Sequence, residues 1–151
     1  MSWRQTEHDY RTLSVAFDKL PTKSRPRWSS RGGHAYTPAA TLEAEQRIRS
    51  AWVDAHGLAY AEWRGPVSVS IDVWREVPKR ASRRGEGSLV CLKPDLDNTA
   101  KLVLDALNGV AWADDAQVVH LSISRRRRGP SGTGARIIIE LVYLDDREVI
   151  S

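Results

Sequence analysis

The sequence predicts an α+β fold, a mixed β-sheet with helices packed on it in the order β-α-β-β-α-β-β. Three observations carry this reading. Apolar residues alternate with a period of two in several short segments, two intervening segments change to helical spacing, and clusters of glycine, proline and charge punctuate the changes. At 151 residues the chain is long enough to bury a core and is read as one domain over 1–151, with the core at about 12–145.

Residues 12–20 alternate, with Leu13, Val15 and Phe17 on one side and Ser14, Ala16 and Asp18 on the other, which predicts a half-buried strand beginning near Arg11. Pro21, Arg25, Pro26, Arg27, Gly32 and Gly33 then predict an exposed basic loop that also holds Arg31. Thr41 is placed to cap a helix in which Leu42, Ala44, Ile48, Ala51, Trp52 and Ala55 recur near helical spacing, with Gly57 as its stop. Val67, Val69, Ile71 and Val73 alternate with Ser68, Ser70, Asp72 and Trp74, the clearest strand in the chain. A second basic loop, PKRASRRGEG, leads to the apolar run 89–92, expected as a short strand paired with its predecessor in a long-looped hairpin. After Asp97, the residues Leu102, Val103, Leu104, Ala106 and Leu107 predict a second helix, closed by Asn108 and Gly109. Val119, Leu121 and Ile123 alternate against His120, Ser122 and Ser124, and 137–143 is a strongly apolar strand, with RRRRGPSGTG expected as the hairpin loop between them.

Lys and Arg together number 23 against 19 Asp and Glu, a net charge of +4. Arginine dominates the basic set, and its planar fork of donors matches phosphate oxygens in pairs, so the balance points to a polyanionic partner. The same bias also arises from coding composition alone. No apolar stretch approaches the ~20 residues of a membrane span, and a lone cysteine, Cys91, excludes a disulfide within the chain and reads as a small buried hydrophobe. A soluble, cytoplasmic protein is expected. The four histidines show no ligand spacing, and the six tryptophans read as core or interface residues, with Trp28 a candidate for stacking on a base.

The densest chemistry lies in residues 93–119, KPDLDNTAKLVLDALNGVAWADDAQVV. Asp95 and Asp97, one residue apart, face the same side if the backbone there is extended, and two such acids repel unless a cation lies between them. A hard divalent cation such as Mg²⁺ takes carboxylates, waters and substrate phosphate, and Asp114 or Asp115 can supply a third acid from the loop after the helix. Lys101 lies one turn into that helix, where the macrodipole disfavours a cation, so its place suggests contact with a phosphate. Other readings stand beside these. Asp97 is also a good N-cap, and Pro94-Asp95 a good turn pair. Asp105 can pair with Lys101 four residues earlier or support the site. Asp72 is read chiefly as part of a solvated strand face.

The run KPDLDN, then Lys101, LDALNG and WADDAQV resembles the RusA family of Holliday junction resolvases, with acids, Asn, Lys and double Asp in register. More loosely, the first strand, Pro21, Arg25-Pro26-Arg27, Tyr36-Thr37-Pro38 and a following helix resemble the family's opening. The resemblance implies a RusA-like fold, Asp95, Asp97 and Asp115 as metal-binding acids, Lys101 as the catalytic lysine, and Asn98 as the Asn after the second acid, grouped here with the DNA-contacting residues. It also implies a homodimer that uses Mg²⁺, with Mn²⁺ as a substitute, to nick two strands of a four-way junction symmetrically in DNA recombination and repair. Such genes often belong to phages or prophages. Thr99 and Ala100 depart from the bulkier apolar residues that relatives often carry there, which bears on packing.

The expected mechanism has Mg²⁺ on the three acids activating water for in-line attack on a phosphodiester, with metal and Lys101 stabilising the developing charge. Arg25, Arg27, Arg31, Lys79, Arg80, Arg83, Arg84, Arg125, Arg126, Arg127 and Arg128 are the candidates for contact with the DNA backbone. Two rivals remain at this stage. A nuclease for flaps or other branched DNA shares every residue named, and a non-catalytic DNA-binding protein would use the basic loops and leave the acids as caps and turns.

Overall fold

A computed structural model describes residues 9–21, 23, 27–29, 31–33, 35–36, 38–76, 91, 95–127 and 134–144, with backbone alone for 27–28 and 35–36. In chain order the elements are β1 (Asp9–Phe17), β2 (Arg27–Trp28), β3 (Ala35–Tyr36), α1 (Ala39–His56), β4 (Val67–Arg75), α2 (Leu96–Leu107), a 3₁₀ turn (Asp115–Gln117), β5 (Val118–Arg127) and β6 (Ala135–Tyr143). Four strands form one sheet in the order β1-β6-β4-β5. The β1/β6 and β6/β4 pairs are antiparallel and β4/β5 is parallel, so the sheet is mixed, as the sequence predicts. The parallel pair needs a crossover, and α2 provides it.

Alternation decides which face the helices cover. Val67, Val69, Ile71 and Val73 of β4 and Ala135, Ile137, Ile139, Leu141 and Tyr143 of β6 point inward, where they meet Ala44, Ile48 and Trp52 of α1 and Leu102, Val103, Ala106 and Leu107 of α2. The opposite face carries Ser14, Ser70, Asp72, Ser122, Ser124 and Glu140. One wet face and one covered face is the usual economy of a largely antiparallel sheet. Thr99 and Ala100, the small pair in α2, are both buried, which lets that helix approach the core closely.

Several local expectations change. Thr41 does not cap α1: Pro38 precedes the helix, and Thr41 lies buried in its first turn. Gly57, at φ 67, does end α1, and Gly109, at φ 81, follows α2. Part of the first basic loop is a two-residue hairpin, Arg27–Trp28 with Ala35–Tyr36. The strand expected at 89–92 falls outside the described residues except for Cys91, which is in no strand and exposed rather than buried. Both edges of β4 are occupied, by β5 and β6. For the same reason β5 and β6 are not a hairpin; β4 lies between them, and Arg125, Arg126 and Arg127 belong to β5 instead of a loop.

The crossing from the far end of β5 returns at Gly134, whose φ of +71 and tight approach to β1 both exclude a side chain. A Cβ there would lie 2.6 Å from the Phe17 carbonyl oxygen. Gly134→Ala is therefore expected to destabilise the fold by about 2 kcal/mol or more, from left-handed strain plus a backbone clash. Urea unfolding checks this: the midpoint should fall with an unchanged slope, and an unshifted midpoint contradicts it.

Candidate active site

The acids expected from sequence lie on two segments, and each is held differently. Asp95 has extended backbone immediately before α2, and its carbonyl accepts the Asn98 and Thr99 N–H groups at 3.2 and 3.4 Å. Asp97 follows in the first turn, where the helix dipole favours an anion. Lys101 lies four residues on from Asp97, and both are exposed on the side of α2 away from its buried stripe of Thr99, Ala100, Leu102, Val103, Ala106 and Leu107. Among the described residues neither Asp97 nor Lys101 has a hydrogen-bond or ion-pair partner.

The second segment connects α2 to β5 and hooks through the core. Val110, Ala111 and Trp112 are buried. The Trp52 indole donates to the Val110 carbonyl at 3.2 Å, and the Tyr143 hydroxyl donates to the Ala111 carbonyl at 2.8 Å. Trp112, itself fully buried, donates from Nε1 to Asp115 Oδ1 at 2.8 Å. Gln117 fastens the same turn, accepting from the Asp114 N–H at 2.8 Å and donating to the carbonyls of Trp63 and Gly65 at 2.6 and 2.9 Å. Partial burial pushes the Asp115 carboxyl above the usual carboxylate range; the Trp112 hydrogen bond works against that rise, and the charges of Asp105 and Asp114 add to it.

Other residues go elsewhere than spacing suggested. Asp105 pairs with the Lys23 ammonium, not with Lys101, and Lys23 Nζ also lies 2.6 Å from Glu45. Burial would lower the Lys23 pKa, but the hydrogen bonds to Asp105 and Glu45 leave it above the usual lysine value. Asn98 directs its side-chain amide to the backbone of Lys23. Asp72 lies on the open face of the sheet, accepts from Ser124, and has Arg126 Nε 3.5 Å away, so it stands apart from α2. Of the basic candidates, Arg31 is exposed in a turn, Arg125, Arg126 and Arg127 are half-buried on β5, and Arg27 is placed by backbone in β2. Arg25, Lys79, Arg80, Arg83, Arg84 and Arg128 lie outside the described residues.

The donors are all carboxylate oxygens, which suits a hard divalent cation, and Asp115 has no cationic partner among the described residues. The fit is one of chemistry, since among the described residues no three His, Cys, Asp or Glu side chains are gathered closely enough to hold a metal ion. Sequence reasoning passed over Trp112, Gln117 and Lys23 as shapers of this region. The spacing of Trp112 and Asp115 within WADDAQV is a local signal for the first; nothing in the sequence ties Lys23 to α2.

A mixed α+β sheet whose crossover helix begins between two acids, with an exposed lysine on its next turn, defines the class. A family model for endodeoxyribonuclease RusA matches residues 19–149, and the chain belongs to that family of nucleases. It is also similar to the uncharacterized protein YqaN of Bacillus subtilis (strain 168), 36% identical over 113 residues that span 68% of this chain and 78% of the relative.

Because the Trp112 indole lowers the Asp115 pKa against burial, Trp112→Phe should raise it further in the metal-free protein. Carboxyl-carbon NMR titration reads this directly. An Asp115 titration unmoved or shifted downward would show that the indole bond does not govern this acid.

Proposed function

We propose that this protein is a Mg²⁺-dependent, structure-selective endodeoxyribonuclease that resolves Holliday junctions by paired symmetric nicks, acting as a cytoplasmic homodimer in DNA recombination and repair. Family membership supports the nuclease chemistry. The observation that carries the metal reading is Asp115, a partly desolvated carboxylate under the charge of Asp105 and Asp114 with no counter-cation among the described residues. Such a group suits a hard divalent cation.

In this reading Asp95, Asp97 and Asp115 would hold the ion, which would supply positive charge at the scissile phosphate and at the attacking water. The protein's own contributions are positional and electrostatic. Lys101 presents an exposed ammonium on the face that carries Asp97, where it can bind a phosphate oxygen and stabilise charge that develops there. Trp112 orients Asp115 by holding Oδ1, and leaves Oδ2 for a ligand. Arg31 and the arginines of β5, with the basic residues of the neighbouring segments, supply sequence-independent contact to phosphates. Two symmetric nicks in a two-fold substrate favour a symmetric dimer. No described helix is long and apolar enough to cross a membrane.

The test is cleavage of a labelled synthetic four-way junction beside linear duplex and a flap substrate, with Mg²⁺, Mn²⁺ or EDTA. Paired symmetric nicks on the junction are expected with either metal, lost in EDTA and in Asp97→Asn, and slowed roughly a hundredfold or more in Lys101→Ala. Cleavage confined to flaps would move the substrate to other branched DNA. Binding to all three substrates with cleavage of none, under varied divalent metals, would leave a DNA-binding role in place of the enzyme.

A further inference from the structure

Asn98 stands beside Asp97, yet its amide engages the protein itself. Its Oδ1 accepts the Lys23 N–H at 2.5 Å and its Nδ2 donates to the Lys23 carbonyl at 2.9 Å. Both ends of one side-chain amide thus meet the donor and acceptor of a single residue 75 positions away, the pattern by which a strand pairs with its neighbour. The Lys23 side chain continues the attachment, with Nζ on Asp105 of α2 and on Glu45 of α1, and only 16% of it exposed. The chain leaving β1 is in this way tied to the first turn of α2, to its later turn and to α1. Leu20, buried just before it, anchors the same segment in the core.

The first turn of α2 has particular need of such a tie. Helix N-termini leave their leading N–H groups without intrahelical partners and usually depend on a side-chain cap. Asp95 precedes α2 without a side-chain capping hydrogen bond, so the turn that carries Asp97 is held from outside the helix. We propose that Asn98 is a positioning residue for the acids: through Lys23 it fixes the turn bearing Asp95 and Asp97, and it acts on catalysis through their placement, not by touching DNA. This rests on the metal-nuclease reading of the same acids. It gives Asn98 a different task from the DNA contact that its neighbourhood in the sequence suggests.

Hydrogen exchange of the assigned backbone amides in the full chain tests the tie, and kinetics and Mn²⁺ calorimetry test its consequence. The Lys23 amide should be protected in the wild type and exchange about tenfold faster or more in Asn98→Ala, with the β4 and β6 amides unchanged. The variant's junction kcat should fall about tenfold or more and its Mn²⁺ affinity about fivefold, while its KM for the junction stays within about twofold. Asn98→Asp should lose kcat and Mn²⁺ affinity as Asn98→Ala does, because its carboxylate meets the Lys23 carbonyl oxygen with repulsion, while the Lys23 amide keeps an acceptor and its protection. An unprotected Lys23 amide in the wild type overturns the proposal, as does a near-wild-type kcat in Asn98→Asp. So does a variant whose KM rises while kcat and Mn²⁺ affinity hold, the mark of a residue that binds DNA. Asp97→Asn separates the two levels: if it cleaves and binds Mn²⁺ like the wild type, the nuclease reading of the acids fails, whereas the Lys23 exchange result does not involve metal and stands or falls by itself.

Discussion

The passage of Val110, Ala111 and Trp112 through the core is the constraint on which the site depends. A connection buried this deeply carries carbonyl groups that lose water, and each would cost free energy without a partner. The core supplies partners from opposite sides, the Trp52 indole from α1 and the Tyr143 hydroxyl from the last inward position of β6. Tyr143 is itself confined, stacked on Tyr60 at 4.3 Å between ring centroids and met edge-on by Trp63. Burial, with the nearby Tyr60 and Asp9 adding to it, drives its hydroxyl far above the usual tyrosine value, so it keeps the proton it donates. Asp115 begins three residues beyond this hook, and Trp112, the hook's last member, holds one of its oxygens. The placement of the acid is thus a consequence of the core.

The other acidic segment has no such depth. Asp95 and Asp97 lie at the exposed end of α2, and what steadies them is polar: the helix dipole, and the Asn98 amide on the Lys23 backbone. The two halves of the site are therefore supported by different physics, apolar burial for one and hydrogen bonds shielded from solvent for the other. Helix α2 joins them, because its buried stripe locks it to α1 and the sheet, its first turn carries Asp97, and the segment that follows it leads to Asp115. In the structure the carboxylates are not gathered into a metal-holding group among the described residues.

Elements defined by local periodicity were legible in the sequence, and relationships across the chain were not. The valines of β4 and the apolar run of β6 announce themselves because a half-buried strand repeats every two residues wherever its partner lies. The partner is another matter. RRRRGPSGTG has every mark of a hairpin turn, yet β4 lies between the strands it joins, since a parallel crossover through α2 placed β5 on β4's free edge. Cys91 read as buried because its neighbours are apolar, and it is exposed. The motif around Asp95, Asp97, Lys101 and Asp115 reads as candidate chemistry from its spacing, but Lys23 and Tyr143, which hold the framework of that region, are distant in sequence and carry no motif.

The fate of Asp105 shows why spacing alone misjudged the lysines. A pair four residues apart on an exposed helix face contributes only about 0.2–0.5 kcal/mol. A hydrogen bond to a charged group is worth roughly 1.5–3 kcal/mol where water is kept away, less where solvent screens it. Lys23, mostly shielded and already aligned by its backbone on Asn98, offers Asp105 the second kind of contact at little further entropic cost. Asp105 therefore turns toward Lys23. That choice removes one of the two carboxylates that helical spacing offers Lys101, Asp97 being the other, and among the described residues the exposed ammonium pairs with neither. An exposed lysine without an internal partner among the described residues, one turn from Asp97, is free to take up an anion from outside the chain.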